Sequence, residues 1–357
     1  MEPDAPEAPA SLAERAVAAC ERVAPKLEFE SFLIGVKGDL DEDAKRALKR
    51  DVGLALEQRW PERRVAFRRP DVVFIYDPAK DWVEPTVRSI YVYGRYRKLA
   101  RNLTQTRTTW RCPVCRNKTR ARVDCAPCHG TGRRFPDSVE ELLAGPLAQA
   151  YASREFALHG LGREDTDVQC LGRGRPFVLE LKRPRKRTVD LAAVRAQLAD
   201  ELVGRVELPA PLREVPGDLV PRLKGWVGDK AYRARCVATA PIELAQLGAL
   251  QDLVETPIEQ RTPARVSHRR VDKVRKRKVL SLALHAQPEP HVLVLDLTCQ
   301  SGTYVKELVS GDEGRTQPSL SELLGVPCTC EQLDVLDVLV DCETLLGSEP
   351  PPPAIED

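Results

Sequence analysis

No apolar run in this chain approaches the roughly 18 residues that a membrane helix needs. The first ten residues, MEPDAPEAPA, lack the basic-then-apolar order of a secretory signal. Those two absences lead to the expectation of a soluble, cytoplasmic protein with no membrane partner. There is no P-loop. The glycine run GLGRED (160–165) has no adequately apolar strand before it, so a methyltransferase or thiolase built on a nucleotide-binding loop is set aside. Internal repeats are missing too. Strand-like and helix-like stretches do not alternate regularly, which favours an α+β fold with a mostly antiparallel sheet over a doubly wound one.

What is present begins with length. At 357 residues, two or three domains are expected, and 42% hydrophobic residues suffice to build cores. The formal net charge of +2 hides a segregation. Both tips are acidic and proline-rich, a composition that favours disorder. Basic residues gather in three interior blocks: RYRKLAR (95–101), LKRPRKR (181–187) and RVSHRRVDKVRKRK (265–278). One such block is usually a solvated face; three of them point to a polyanionic partner, nucleic acid above all.

Helical periodicity runs through 11–24, 42–59 and 138–158. Residues 190–202 read as a helix opened by Asp190, and GTYVKELVSG (302–311) as a short one. Strands are expected at 64–77, 88–98, 176–184, 230–240 and 291–299. The resulting division is a tail and helix (1–24), a small α/β unit with a cysteine module (25–137, the module at 110–134), a larger α+β domain (138–346) and a proline-rich tail (347–357).

The sharpest local signal is CPVCRNKTRARVDCAPC (112–128). Its two CxxC pairs can supply four sulfur ligands, Cys112, Cys115, Cys125 and Cys128, to one tetrahedral cation. Thiolates select zinc, and four protein ligands close the coordination sphere, so the zinc should be structural. The other seven cysteines are scattered among apolar residues and read as small buried hydrophobes. A second constellation is HGLGREDTDVQCLGRGRPF (159–177), where carboxylates sit among arginines in a glycine-bent loop. With Glu180 and Lys182 of the following ELK, Asp165 and Asp167 could form a metal-dependent nuclease site. Alternatively a single aspartate could act covalently or electrostatically on a nucleotide. A non-catalytic tRNA-binding protein is the third reading.

Several stretches resemble one family in the same order: the tRNA pseudouridine synthases that act on T-loop uridines 54 and 55 in archaea and eukaryotes. GREDTDV (162–168) with LGRGRPFVLEL is similar to that family's active-site motif. KAYRARC (230–236) resembles its second motif and SGTYVKELVSGDEGRTQPS (301–319) its third; YVYGRYRKLARNLTQT (91–106), RVSHRRVDKVRKRKV (265–279) and the cysteine module also match. The resemblance implies a THUMP-like RNA-binding domain with a zinc ribbon, followed by a pseudouridine synthase fold. It implies isomerisation of uridine 55, 54 or both, with Asp165 the catalytic nucleophile, Lys306 its partner and no catalytic cofactor. Tyr232, Tyr304 and Arg163 would bind the flipped base. Arg175, His268, Arg269, Arg270, Lys276 and Arg277 would meet the RNA, the T-arm of tRNA being the partner and no obligate protein partner being evident. Two departures stand out: the chain lacks the family's additional N-terminal CxxC, and Gln169 stands where arginine is common.

Overall fold

A computed structural model describes residues 10–347; the acidic tips at 1–9 and 348–357, and the disorder expected of them, lie outside the described residues. The N-terminal unit begins with helix α1 (Leu12–Val23). Ser11 accepts the N–H of Glu14 while the Glu14 carboxylate accepts that of Ser11, so two orphan donors are satisfied reciprocally. Strand β1 (Ser31–Val36) leads to helix α2 (Glu42–Arg59), capped by Asp41. Strands β2 (Arg64–Val65), β3 (Val72–Asp77) and β4 (Trp82–Val87) complete a sheet of order β2-β1-β3-β4, with β1 parallel to β2 and β3. Phe29, Phe32, Trp60 and Phe74 pack edge-on in its core. Residues 64–77, expected as one strand, are two: Arg69 adopts φ +51° and Pro70 has no N–H to give to a ladder.

The larger sheet uses β5 (Ile90–Lys98), β6 (Glu155–Gly160), β7 (Gln169–Lys182), β8 (Val206–Glu207), β9 (Arg213–Val215), β10 (Asp229–Ala238), β11 (Pro257–Arg261), β12 (Val274–Glu289), β13 (Val292–Cys299), β14 (Thr316–Gln317) and β15 (Cys328–Leu339). Its order is β14-β11-β12-β13-β10-β15-β7-β5-β8, with β6 beside β7 and β9 beside β5. All its pairings are antiparallel except β15 with β7, as the irregular alternation of elements suggested. Strand β5, which the sequence reading placed in the N-terminal unit, belongs here. It pairs with β7 over most of its length and sends Val92 and Tyr96 into one core and Tyr93 into another. A strand buried on both faces must lie inside a sheet. Strand β7 does the same, with Phe177, Leu179 and Leu181 on one side and Cys170 and Val178 on the other. The helix expected over 138–158 stops sooner, at Val139–Ala150; Ala152 takes φ +48° and the chain turns into β6.

A charged hinge ties the two units. Asp71 accepts from the Ser31 N–H and hydroxyl and pairs with Arg88 at 2.6 Å and Arg187 at 3.2 Å. Glu28 accepts the backbone N–H groups of Arg187 and Thr188. Of the scattered cysteines, Cys20, Cys170, Cys236, Cys299 and Cys328 are buried free thiols and Cys330 is half-buried. The side chain of Cys342 lies outside the described residues.

Candidate active site

The loop 161–168 between β6 and β7 carries the acidic cluster. Glycine is required around it. Gly172 has φ +57°, and a Cβ there would come within 2.1 Å of the Leu336 carbonyl oxygen, so only glycine lets β7 start against β15. Gly162 has φ +74°, and a Cβ there would come within 3.2 Å of the Arg175 guanidinium.

Beneath the loop lies a sealed layer. Glu164 and Arg175 form an ion pair at 2.7 Å with both side chains fully buried. The Tyr96 hydroxyl donates to Glu164 at 2.9 Å and accepts from the Gln105 amide, which also donates to the Gly162 carbonyl. Arg175 donates onward to the Leu161 carbonyl. Buried Lys98 donates to the carbonyls of Leu103, Asp165 and Thr166. Burial lowers the pKa of Lys98, with the Glu164 charge opposing the shift. These contacts hold the loop backbone from below.

Above that layer Asp165 faces outward, its side chain 37% exposed. Arg265 donates to its Oδ2 at 3.1 Å, and the Lys306 ammonium lies 3.6 Å away. Lys306 is closer to Asp167, at 2.8 Å. Burial opposes ionisation of Asp167, yet the Lys306 hydrogen bond and charge prevail and its pKa falls. Arg265 is itself gripped by Glu307 at 2.6 Å, and Glu307 is buried on the short helix Val305–Ser310. Glu307 and Asp165 together outweigh desolvation and keep the Arg265 pKa raised.

Asp165 opens into a cleft of about 390 Å³ lined also by Arg163, Tyr232, Tyr304, Lys306 and Arg270, a volume within the usual range of small-molecule sites. Tyr232 is buried where it lines the cleft, and burial raises its pKa. Tyr304 is fixed by its backbone: Gln260 donates to its carbonyl and accepts its N–H. Buried Lys230 donates to the Gly228 carbonyl and the Ser301 hydroxyl. Burial, aided by the Arg175 charge, lowers its pKa to about 8.

Of the residues expected at the site, Asp165, Lys306, Arg163, Tyr232, Tyr304, Arg270 and Arg277 line one cleft, and Arg175 calls for a correction. Arg175 is no RNA contact on the surface; it is completely buried beneath Gly162 and neutralises Glu164. Its place follows from strand parity, since Arg175 shares the inward face of Phe177, Leu179 and Leu181. The same applies to the block 95–101, read as a solvated or RNA-facing strip: Arg95 and Lys98 are buried. His268 is exposed, and Arg270 lines the cleft. Lys276 is exposed and pairs with Glu259, while Arg277 is half-buried and lines the cleft beside Gly302. The side chain of Arg269 lies outside the described residues. Gln169 turns inward, bonded to the Leu99 carbonyl and to Arg101. Residue-level reading missed Arg265, Glu307, Lys98 and Lys230. For Lys98 the signal was available, since it shares the face of Val92 and Tyr96 on β5.

The nuclease set does not assemble. Glu180 accepts from Ser89 and Tyr91 and faces His159 at 3.3 Å. Among the described residues, the one group of three or more His, Cys, Asp and Glu with ligating atoms in metal-binding range is Cys112, Cys115, Cys125 and Cys128. Their sulfurs are buried and lie within 4.8 Å of one another, so the group could hold a metal ion. The Cys112–Cys125 and Cys115–Cys128 separations are 3.8 and 3.7 Å. A tetrahedron of 2.3 Å zinc–sulfur bonds has edges of about 3.8 Å. The Gly132 N–H donates to the Cys128 sulfur, a hydrogen bond that favours the thiolate.

Residues 91–339 match the family model described as Pus10, C-terminal. The tRNA pseudouridine synthase Pus10 of Halorubrum lacusprofundi is 39% identical over 322 residues, covering 89% of this chain and 74% of the relative. That of Methanothrix thermoacetophila is 40% identical over 297 residues, covering 83% and 64%. That of Archaeoglobus fulgidus is 36% identical over 326 residues, covering 87% of each. With a family model matched over most of its length and relatives of this identity, the chain belongs to the Pus10 family of tRNA pseudouridine synthases.

Proposed function

We propose that this chain is a tRNA pseudouridine synthase that isomerises T-loop uridine 55, 54 or both, with Asp165 as nucleophile. The observation that carries this reading is the Asp165 carboxylate, partly exposed in the cleft and flanked by the cations of Lys306 and Arg265. In the reaction the C1′–N1 bond breaks, the uracil turns, and C5 bonds to C1′; C5 then gives up its proton and N1 takes one. Atoms and electrons balance without an oxidant, so the chemistry calls for no catalytic cofactor. The carboxylate either attacks C1′ or stabilises the positive charge that develops on the sugar. Lys306 and Arg265 keep it aimed. Tyr232 offers a ring for the flipped base, Tyr304 closes the facing wall, and Arg163 and Arg270 meet flanking phosphates. His268, Lys276 and Arg277 extend that cationic surface toward the T-arm, and Arg269, whose side chain lies outside the described residues, is assigned to RNA contact from the sequence motif alone.

The four-cysteine group is read as a structural zinc site, since four thiolates leave no open position. The N-terminal unit is read as a THUMP-like RNA-binding module and the whole chain as cytoplasmic. The test is tritium release from C5-labelled uridine in tRNA with chelator present, combined with mapping of pseudouridine at single-nucleotide resolution. Loss of release in Asp165→Asn, with tRNA binding kept, supports the assignment. Full release by that variant, or a metal-restorable loss shared equally with Asp167→Asn, sinks it.

A further inference from the structure

Of the residues that line the cleft, two are buried cations, Arg175 and Lys230. Arg175 has a counter-ion, Glu164 at 2.7 Å. Lys230 has none: it forms no ion pair among the described residues, although it is only 8% exposed. Its ammonium carries three protons. One goes to the Gly228 carbonyl at 2.8 Å and one to the Ser301 hydroxyl at 3.2 Å. The third meets no acceptor among the described residues. Asp229, the neighbouring carboxylate, accepts the Ser301 N–H instead. Lys230 precedes Tyr232 by two residues on β10, so both side chains leave the strand on one face and line the same cleft. Ser301, which lines it too, fixes the ammonium against the cleft wall. A buried cation without a counter-ion is destabilising, and a fold retains one where function calls for it.

The isomerisation of uridine makes an anion in this cleft. When the C1′–N1 bond breaks, its electron pair stays with N1. The detached uracil then carries a negative charge, which conjugation spreads over N1, O2 and O4. Lys306 and Arg265 are both engaged by carboxylates, on the sugar-facing side of the site. We propose that Lys230 is a further catalytic residue: its third N–H donates to a carbonyl oxygen of the flipped uracil and holds the negative charge of that base while it is detached from the sugar. The inference rests on the reading of the cleft as a pseudouridine synthase site and deepens it. Lys230 keeps its proton throughout. The charge leaves the base when C5 bonds to C1′ with its electron pair and the Asp165 carboxylate is restored. A donor already fixed in a buried wall meets a developing anion without reorganising, which is where such groups act most strongly. Tyr232, read as the ring on which the base stacks, brings that base beside the Lys230 stem.

The experiment follows single-turnover tritium release from C5-labelled uridine in tRNA, for the parent and Lys230→Met, at pH 7, 8 and 9. Methionine keeps the length of the stem and removes the charge. At pH 7 the variant should be slower by roughly a hundredfold, the usual loss for one such donor. Its tRNA affinity should match the parent's, because the anion exists only after the bond breaks. Its melting temperature at pH 7 should be no lower, since a buried charge has gone. The ratio of parent rate to variant rate cancels the ionisation of the tRNA. It should fall above about pH 8, by about tenfold per unit, as the Lys230 proton leaves. The groups that face Lys230 are Asp229 and Tyr232 on its own strand, Arg175 and Cys170 on β7, Cys299 opposite on β13, and Glu164 in the loop, paired with Arg175. The two thiols are pushed up to about 11 and 12 and stay neutral across the window. The inference is overturned by a parent-like rate in Lys230→Met, by a ratio that ignores pH, or by a loss that lies in tRNA binding. A melting temperature lowered by several degrees would make Lys230 a structural residue and overturn it too. A parent protein that releases no tritium strikes the reading of the site itself.

Discussion

Glu164 and Asp165 are neighbours in sequence, both carboxylates, both beside arginine, and they live in opposite environments. Glu164 is sealed with Arg175 and the Tyr96 hydroxyl, its charge matched by one buried cation. Asp165 looks into an open cleft with two cations nearby, and one of those is shared with Asp167. The difference is one of unspent capacity. Glu164 has its oxygens engaged in contacts that hold the loop, and no room for a substrate. Asp165 is flanked by cations but remains accessible, as a nucleophile must. Adjacent residues of an extended segment point to opposite sides, so a two-layer site can be built from a single turn.

The comparison breaks most cleanly in a pair of variants. Asp165→Asn should abolish isomerisation, by roughly a thousandfold or more, because the amide neither attacks nor stabilises a sugar cation. Its melting temperature should stay close to the parent's, since the site is half exposed. Glu164→Ala should do the reverse in kind: it leaves Arg175 buried and unpaired, at a cost of about 3–5 kcal/mol of stability. Tritium release and thermal melting, run side by side, separate the two. Equal melting temperatures would show that the Glu164–Arg175 pair contributes nothing to the fold.

Next in size are the cations on Asp165. Lys306→Met and Arg265→Ala should each slow turnover by roughly 10- to 100-fold, less than loss of the carboxylate itself. Glu307→Gln should shift turnover the same way without touching Asp165, since it loosens the grip on Arg265. Turnover that responds to Lys306 and ignores both Arg265 and Glu307 would reduce the Arg265 contact to a resting-state arrangement. Arg265 and Glu307 are instructive about what sequence can carry. Where periodicity was clean, elements were legible nearly to the residue: α2, the helix after Asp190, and strands β10 and β13 all fall where expected. The motif carrying Asp165, Tyr232, Tyr304 and Lys306 also converges on one cleft. Strand β15 was illegible because register shifts interrupt its pairing with β10 and because Asp334 and Asp337 break its alternation. Those acids have partners, Arg101 and Arg173, that only tertiary structure brings near. Arg265 was hidden among equivalent basic neighbours, and nothing local distinguishes the one that reaches Asp165.

The cysteine module offers a contrast of another kind, since it lies outside both layers. Purified protein should carry about one zinc per chain. Cys112→Ser should lower stability and metal content while leaving the chemistry at Asp165 intact for RNA that is already bound. Metal analysis of protein made under reducing conditions is the check, and an absence of zinc there would end the assignment.

A last effect, read in stability and not in turnover, is a second pH dependence at Lys230, which borders both layers. Its ammonium is buried, bonded to Gly228 and Ser301, and its pKa is lowered to about 8 from an ordinary 10.5, first by burial and then by the Arg175 charge. The folded protein therefore releases this proton at lower pH than the unfolded chain does. Between about pH 8 and 10.5 the unfolded state binds more protons, so this group's contribution to stability rises with pH. Its cost is fully present below pH 8 and gone above about 10.5, a span worth about 3 kcal/mol. Buried thiols such as Cys20 and Cys299, pushed up to about 12, pull the opposite way once the unfolded thiols ionise near pH 9, so the raw profile mixes both signs. The difference between the parent and Lys230→Met cancels the thiols. That difference should shift in favour of the parent by up to about 1.4 kcal/mol per pH unit across the window. Denaturant unfolding at pH 7, 8, 9 and 10 measures it. A flat difference would mean that Lys230 is as solvated as an ordinary lysine, and that the sealed layer ends at Arg175.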